Sequence, residues 1–267
     1  MSNNLGRVMA TKVPQVTVFF WVIKVLSTTM GETVADWLDS TFHLGLPKTT
    51  AVCAAGFLVV LTWQMRLRVY VPGVYWATVL MVSITGTLIT DNLTDGLGVS
   101  LYASSIGFAL LLTLVFTLWW RQERTLDIAA INTRQREAWY WLAILVTFAL
   151  GTAAGDLITE QWGLGYGKGL LLFAALVVLC AAAAKTHVNS VVLFWIAYVL
   201  TRPLGATLGD FLTAPKQPND DYDFTGLGLP RYAVNAVFLA LVVALVVYLT
   251  RSKRDRLPAS EVVAEAV

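Results

Sequence analysis

Four aspartates stand in one recurring setting. The segments are Gly31-ETVA-Asp36-WLD, Gly86-TLIT-Asp91-NLT, Gly151-TAAG-Asp156-LIT and Gly205-ATLG-Asp210-FLT, and all fit G-x4-D-x-[LI]-[TD]. Oxygen donors from several copies, with no soft ligands, form a set that suits Mn²⁺, Mg²⁺, Ca²⁺, Na⁺ or protons. Glu32 lies one helical turn before Asp36 and on the same face, where the second and third copies carry Thr87 and Thr152. Two bases lie near these acids in sequence: Lys24, eight residues before Glu32, and Arg202, eight residues before Asp210. Either they neutralise a polar core, or they compete with a transported cation or proton for the carboxylates. The aspartates have a second reading too. Gly31, Gly86, Gly151 and Gly205 would break their helices, and each Asp would cap a short helix after the break, with a small or hydroxylated residue (Ala35, Thr90, Gly155, Gly209) before it. The two readings are compatible, since broken helices also build ion sites.

The elements that must hold these residues are apolar. Hydrophobic residues make up 57% of the 267-residue chain and charged residues 13%, with a mean hydropathy of +0.67. About 25% charge is usual for soluble domains, so most of this chain lacks a face for water. A helix crosses the hydrocarbon core with about 20 apolar residues. Runs of that kind fall at roughly 14–36, 47–65, 72–91, 98–120, 138–157, 168–185, 189–211 and 231–250. Lipid offers backbone groups no partners, which selects helices, and the runs lack the alternation of barrel strands. The expectation is an all-α integral membrane fold of about eight transmembrane helices. A single membrane domain over 14–250 follows a short segment 1–13 and precedes a tail 251–267. Pro14, Pro47 and Pro72 sit at or near first helical turns. Lys24 interrupts the first apolar run and no clear cleavage site follows, so that run is read as a retained span.

Eight spans put both termini on one side. That side carries 13 basic residues, Arg7, Lys12, Arg121 and Arg136 among them, against six acids; the remaining 11 acids lie on the opposite side or near it. The positive-inside rule places the basic side, and both termini, in the cytoplasm of a cell membrane. Trp119, Trp120, Trp139 and Trp141 read as an aromatic belt at that boundary. On the acidic side Asp39, Asp95 and Glu160 extend the rim, and Pro218-NDDYD-Phe224 forms a loop with three acids.

Each Gly-x4-Asp element belongs to a pair of spans, and a second glycine element follows it: Gly45-Leu46, Gly96-Leu97-Gly98, Gly163-Leu164-Gly165 and Gly226-Leu227-Gly228. The first glycines are 55, 65 and 54 residues apart, so four two-helix units run at about 14–68, 69–122, 138–187 and 188–250. Units of two spans all enter the membrane in the same sense; the repeats are parallel, and their aspartates share one depth. The pattern, clearest in TRPLGATLGDFLTAP and LGTAAGDLITEQWGLGYGKG, resembles a bacterial multi-span membrane family defined by a four-copy repeat of unknown function with a Gly-Asp-Tyr-Leu-like core. The core reads GDFLT at Gly209–Thr213 and GDLIT at Gly155–Thr159, and is degenerate in the first two units. The resemblance covers about 15–250. It implies four repeats and a membrane location, and brings no biochemical activity with it.

Several classes are disfavoured. Cys53 and Cys180 make no CxxC, and only His43 and His187 exist, which leaves little for haem, iron–sulfur or histidine zinc sites. The intramembrane aspartyl protease core GxGD fails at Ala153 and Thr207, and no GxSxG, HExxH or P-loop is present, so no enzymatic activity is expected. The basic residues are too few and too close to the spans for nucleic acid. The expected function is a small-cation transporter or channel with a site formed by Glu32, Asp36, Asp91, Asp156 and Asp210, a divalent metal standing slightly ahead of monovalent ions or protons. No cofactor is expected beyond such a bound cation. The alternative is a membrane scaffold whose aspartates only cap helices. The expected partners are the bilayer and an inorganic cation. Two-helix units can also be completed by a second copy of the chain.

Overall fold

The computed structural model describes residues 11–42, 44–217 and 224–255. The acidic loop around Asp220, His43, and the ends of the chain lie outside the described residues. Eight long α-helices account for nearly all of what is described: α1 Val18–Phe42, α2 Leu46–Arg66, α3 Pro72–Asp91, α4 Leu101–Glu123, α5 Arg134–Asp156, α6 Tyr166–Ala183, α7 Ser190–Thr213 and α8 Arg231–Ser252. All eight are long and apolar enough to cross a membrane, and the molecule is a multi-pass membrane protein. Their starts follow local chemistry. Pro47 and Pro72 occupy first turns, where no N–H is missed. The side chains of Ser100, Thr133 and Asn189 accept from the amides of Ala103, Arg136 and Val191 and cap α4, α5 and α7. The second glycine of each repeat, Gly45, Gly98, Gly165 and Gly228, has φ between +65° and +77° just before an even-numbered helix. Only glycine takes that conformation without strain.

The helices form two layers. Between 56% and 72% of each odd-numbered span is buried, against 17–22% of each even-numbered one. The odd helices pack in a closed ring, α1 on α3, α3 on α5, α5 on α7 and α7 back on α1. The even helices lie outside it with a shift of one repeat: α2 covers α3, α4 covers α5, α6 covers α7, and α8 returns to cover α1. Each unit therefore completes its neighbour. The outer faces carry exposed apolar residues such as Leu110, Leu114, Leu171, Val178 and Val237, as a surface solvated by lipid tails must. The segments before α1 and after α8 meet at one end of the bundle, where the amide of Gln15 donates to the carbonyl of Asp255 at 2.9 Å.

The ring's register is set by the repeat glycines, and here the sequence reading needs correction. Gly31, Gly86, Gly151 and Gly205 do not break their helices; α1, α3, α5 and α7 run through them. They are points of closest approach. A Cβ on Gly86 would lie 2.7 Å from Cβ of Phe148, and one on Gly151 would meet the Arg202 side chain. Gly31 faces Ser83 and Gly205 faces Thr28 in the same way. Thus each glycine abuts the residue three positions before the glycine of the next helix, all the way round. The small residue four places on belongs to the same seam: a Cβ on Gly209 would lie 3.1 Å from Thr33, and one on Gly155 3.4 Å from Pro203. This is small-xxx-small packing of parallel membrane helices, in which missing side chains let backbones approach.

Candidate functional site

This register stacks equivalent residues in layers one helical turn apart along the ring's interior. Starting from the end that holds the termini, they are Phe20/Tyr75/Tyr140/Phe194, Lys24/Val79/Ile144/Tyr198, Thr28/Ser83/Phe148/Arg202, Glu32/Thr87/Thr152/Ala206 and Asp36/Asp91/Asp156/Asp210. Sixteen residues of helix separate first and last, about 24 Å at 1.5 Å per residue.

The fourth layer holds the most concentrated polar chemistry. Nη2 of Arg202 lies 2.6 Å from Oε2 of Glu32 and donates to the hydroxyls of Thr87 and, at 2.6 Å, Thr152. Thr87 in turn donates to Glu32 Oε2 at 3.2 Å, and Nη1 of Arg202 donates to the Thr28 carbonyl at 3.2 Å. One guanidinium thereby ties together the positions that follow three of the four repeat glycines. Arg202 and Glu32 are both buried, and removing either partner of such a pair costs about 3–5 kcal/mol. Nε of Arg202 is buried with no hydrogen-bond partner.

Lys24 is not Glu32's partner, contrary to the expectation from its spacing. Its ammonium donates to the Tyr198 carbonyl at 2.9 Å and the Thr201 hydroxyl at 2.5 Å, and lies 3.9 Å from the centre of the Tyr198 ring. It is fully buried, and among the described residues no carboxylate contacts it. Neutral oxygens and an aromatic face hold this cation.

The four aspartates end the stack, partly open to solvent except for Asp210, which is buried. Asp36 has Nε of Arg231 at 3.9 Å. Asp91, Asp156 and Asp210 form no ion pair with any described residue. Each lies close enough to Glu32 to feel its charge, Asp156 also feels Asp91 and Asp210, and Asp91 and Asp210 both feel Asp36. The capping role is not found for Asp91 and Asp156: both are helical in backbone, neither side chain caps, and the chain continues into a π-helical turn (Asn92–Gly96, Leu157–Gln161). Among the described residues no three His, Cys, Asp or Glu side chains come together closely enough to hold a metal ion. Of the rim residues, Glu160 accepts from Tyr166 at 3.1 Å and Asp95 is exposed.

The other end of the stack escaped the sequence reading. Each repeat carries an aromatic–Trp pair, Phe20-Trp21, Tyr75-Trp76, Tyr140-Trp141 and Phe194-Trp195, beginning 11 residues before its glycine. The pairs interlock round the ring, each first aromatic against the Trp of the next inner helix: Phe20–Trp76 at 5.6 Å between centroids, Tyr75–Trp141 at 5.5 Å, Tyr140–Trp195 at 6.2 Å and Phe194–Trp21 at 5.7 Å. Tyr75 and Tyr140 also share a hydrogen bond of 2.5 Å. Trp141 is therefore a core residue and not a belt residue, as is the fully buried Trp119; Trp120 alone of the four is exposed. Aligning the repeats on their glycines would have revealed these pairs.

Three of the five layers thus seal the bundle with aromatic rings or with a buried base, and the fifth opens to solvent through carboxylates. No curated protein and no solved structure matches the chain. A family model does, four times, over residues 19–70, 74–125, 139–186 and 193–255, one match for each two-helix unit. The chain belongs to the family described as Repeat of Unknown Function (DUF347), in four copies.

Proposed function

We propose that the protein moves a small cation across the bilayer as a carrier, taking it up at the aspartate layer and passing it to Glu32. The observation that carries this reading is that Asp91, Asp156 and Asp210 lie near one another at one mouth of the ring and form no ion pair with any described residue, Arg202 reaching Asp91 and Asp210 only at longer range. Ionisable groups at membrane depth are costly and mark ion paths. A cation or proton drawn into the mouth would relieve their mutual repulsion. Among the described residues no dense ligand cluster is present, and a divalent metal keeps its slight preference over monovalent ions or protons as the transported ion.

Arg202 gives the carrier its logic. It occupies Glu32 as a tethered cation, so cargo must compete with it. Arg202 is a positive charge beyond the acidic mouth, and such a charge obstructs cations in an open pore. A carrier whose carboxylate is held by its own arginine between cycles fits this stack better than a channel does. The excess of basic residues at the end bearing the termini supports a cytoplasmic location for that end, so uptake would start outside.

The test is ion flux in proteoliposomes with the wild-type protein, Glu32→Gln and Asp156→Asn, using Na⁺, Mg²⁺, Mn²⁺ and a proton-sensitive dye in turn. Flux of one cation that both variants abolish is the expected result. Variants that conduct like the wild type would make the carboxylates architectural.

A further inference from the structure

The aromatic layer seals one end of the ring, and the segment before α1 packs at that same end. Residues 11–17 precede α1 outside regular secondary structure, and Lys12, Val13 and Pro14 among them are buried. Lys12 is fully buried, and its ammonium lies 2.6 Å from Oε2 of Glu137, itself fully buried near the start of α5. The same ammonium donates to the Met65 carbonyl at 3.2 Å, and Gln64 donates to Oε1 of Glu137 at 3.1 Å. The Lys12 amide donates to the carbonyl of Ile131 at 3.3 Å. Val13 is buried in one apolar cluster with Tyr70, Ile128 and Ile131. Gln15 is tied to the backbone of Asp255, and the carboxylate of that residue accepts from Tyr70 at 2.7 Å.

Topology gives this strap its meaning. In the ring α1–α3–α5–α7, helices α1 and α5 are diagonal neighbours. A segment that leaves the start of α1 and is clasped at the start of α5 joins two helices that face each other across the ring. The five steps from Lys12 to Thr17 span at most about 17 Å, and the turn closed by the Thr17 amide on the Gln15 carbonyl draws that segment in. The segment is linked to the aromatic layer through Tyr70, which holds Asp255 and stacks edge-on against Tyr75 at 5.7 Å.

We propose that residues 12–15 are the inner closure of the ring, latched by Lys12–Glu137, and that the latch must open for anything to leave the axis at this end. The device rests on the carrier reading for its purpose but not for its test. In a Cys53→Ser/Cys180→Ser background, Tyr75→Cys serves as reporter for a membrane-impermeant maleimide. The reagent is added to proteoliposomes on the side where a C-terminal tag is cleavable. Lys12→Met or Glu137→Gln should raise the labelling rate about tenfold or more, because a buried ion pair that loses one partner is strongly destabilised. Lys12→Arg and the swap Lys12→Glu/Glu137→Lys should label at the parent rate, which separates an opened latch from a misfolded chain. Equal rates for Lys12→Met and the parent would overturn the closure, as would a charge swap that labels as fast as Lys12→Met. Cation flux, measured on the same vesicles, judges the carrier reading separately: labelling that responds to Lys12→Met without flux of any cation leaves the closure standing and sinks the carrier, and the reverse combination does the opposite.

Discussion

The guanidinium of Arg202, on the fourth inner helix, and the carboxylate of Glu32, on the first, meet at 2.6 Å across the seam where the ring closes on itself. They come from different layers of the repeat. Arg202 takes the position held by Thr28, Ser83 and Phe148 in the other units, and Glu32 takes that of Thr87, Thr152 and Ala206. The pair is where the fourfold pattern is most strongly broken, and it joins the first repeat to the last.

Breaking it on one side should be costlier than removing it. Glu32→Gln leaves a buried guanidinium without counter-charge and should lower stability by about 3 kcal/mol. Glu32→Gln combined with Arg202→Met removes the charge as well as its partner and should be more stable than Glu32→Gln alone. A double-mutant cycle on thermal unfolding in detergent measures the coupling. Costs that simply add would show that the two residues act separately.

The glycines make a sharper contrast. Gly86→Ala puts a methyl group 2.7 Å from Cβ of Phe148 and 3.3 Å from the backbone of Ala149, and overpacking of this kind costs about 1–3 kcal/mol. Gly107→Ala, on the exposed face of α4 with open space around it, should be neutral or stabilising by up to about 1 kcal/mol through helix propensity. Unfolding temperatures of the two variants should move in opposite directions from the wild type, or only the first should move.

Much of this was legible in the sequence, and the failures are instructive. The spans, the four units and the glycine before each outer helix follow from apolar length and from Gly at positive φ, both of which are local properties. The repeat glycines looked like helix breaks because glycine disfavours helices in water. Between parallel membrane helices it serves backbone contact, and Gly31 facing Ser83 becomes visible only once a partner helix exists. Periodicity names a helix face but not the helix opposite. For that reason the sequence leaves Lys24 to neutralise Glu32 or an aspartate, whereas its donors cross to Tyr198 and Thr201 of α7. Pro14 read as the first turn of a span, yet α1 starts at Val18, and the residues before it form the strap. The aromatic–Trp pairs were available to inspection and were obscured by the expectation of an interfacial belt.

Those pairs support a further test. Tyr75→Phe deprives the buried Tyr140 hydroxyl of its 2.5 Å partner and should cost about 1–2 kcal/mol. Tyr75→Phe/Tyr140→Phe gives the layer the same residue that Phe20 and Phe194 already supply, and should cost no more than the single change, since neither member of this pair then keeps a hydroxyl to satisfy. Chemical denaturation of the purified protein ranks the three chains.

The aspartates can be separated into one that is paired and three that are not, and cation dependence should divide along that line. Without a bound cation, Asp91, Asp156 and Asp210 repel one another and Glu32, so Asp156→Asn should raise the unfolding temperature at low ionic strength. It should also shrink the stabilisation that cargo cation confers, because a ligand stabilises a fold only through the sites it occupies. Asp36→Asn differs, since it removes the carboxylate 3.9 Å from Nε of Arg231 and leaves the charge of that residue less balanced. Asp36→Asn should therefore weaken cation stabilisation more than loss of one carboxylate does, and Asp36→Asn/Arg231→Gln should recover part of that loss. Melting curves across a cation titration read all of these shifts. If Asp156→Asn destabilised the protein equally with and without every cation tried, the carboxylate would be a structural element of the ring, and the acidic mouth would offer no reason for an ion to enter.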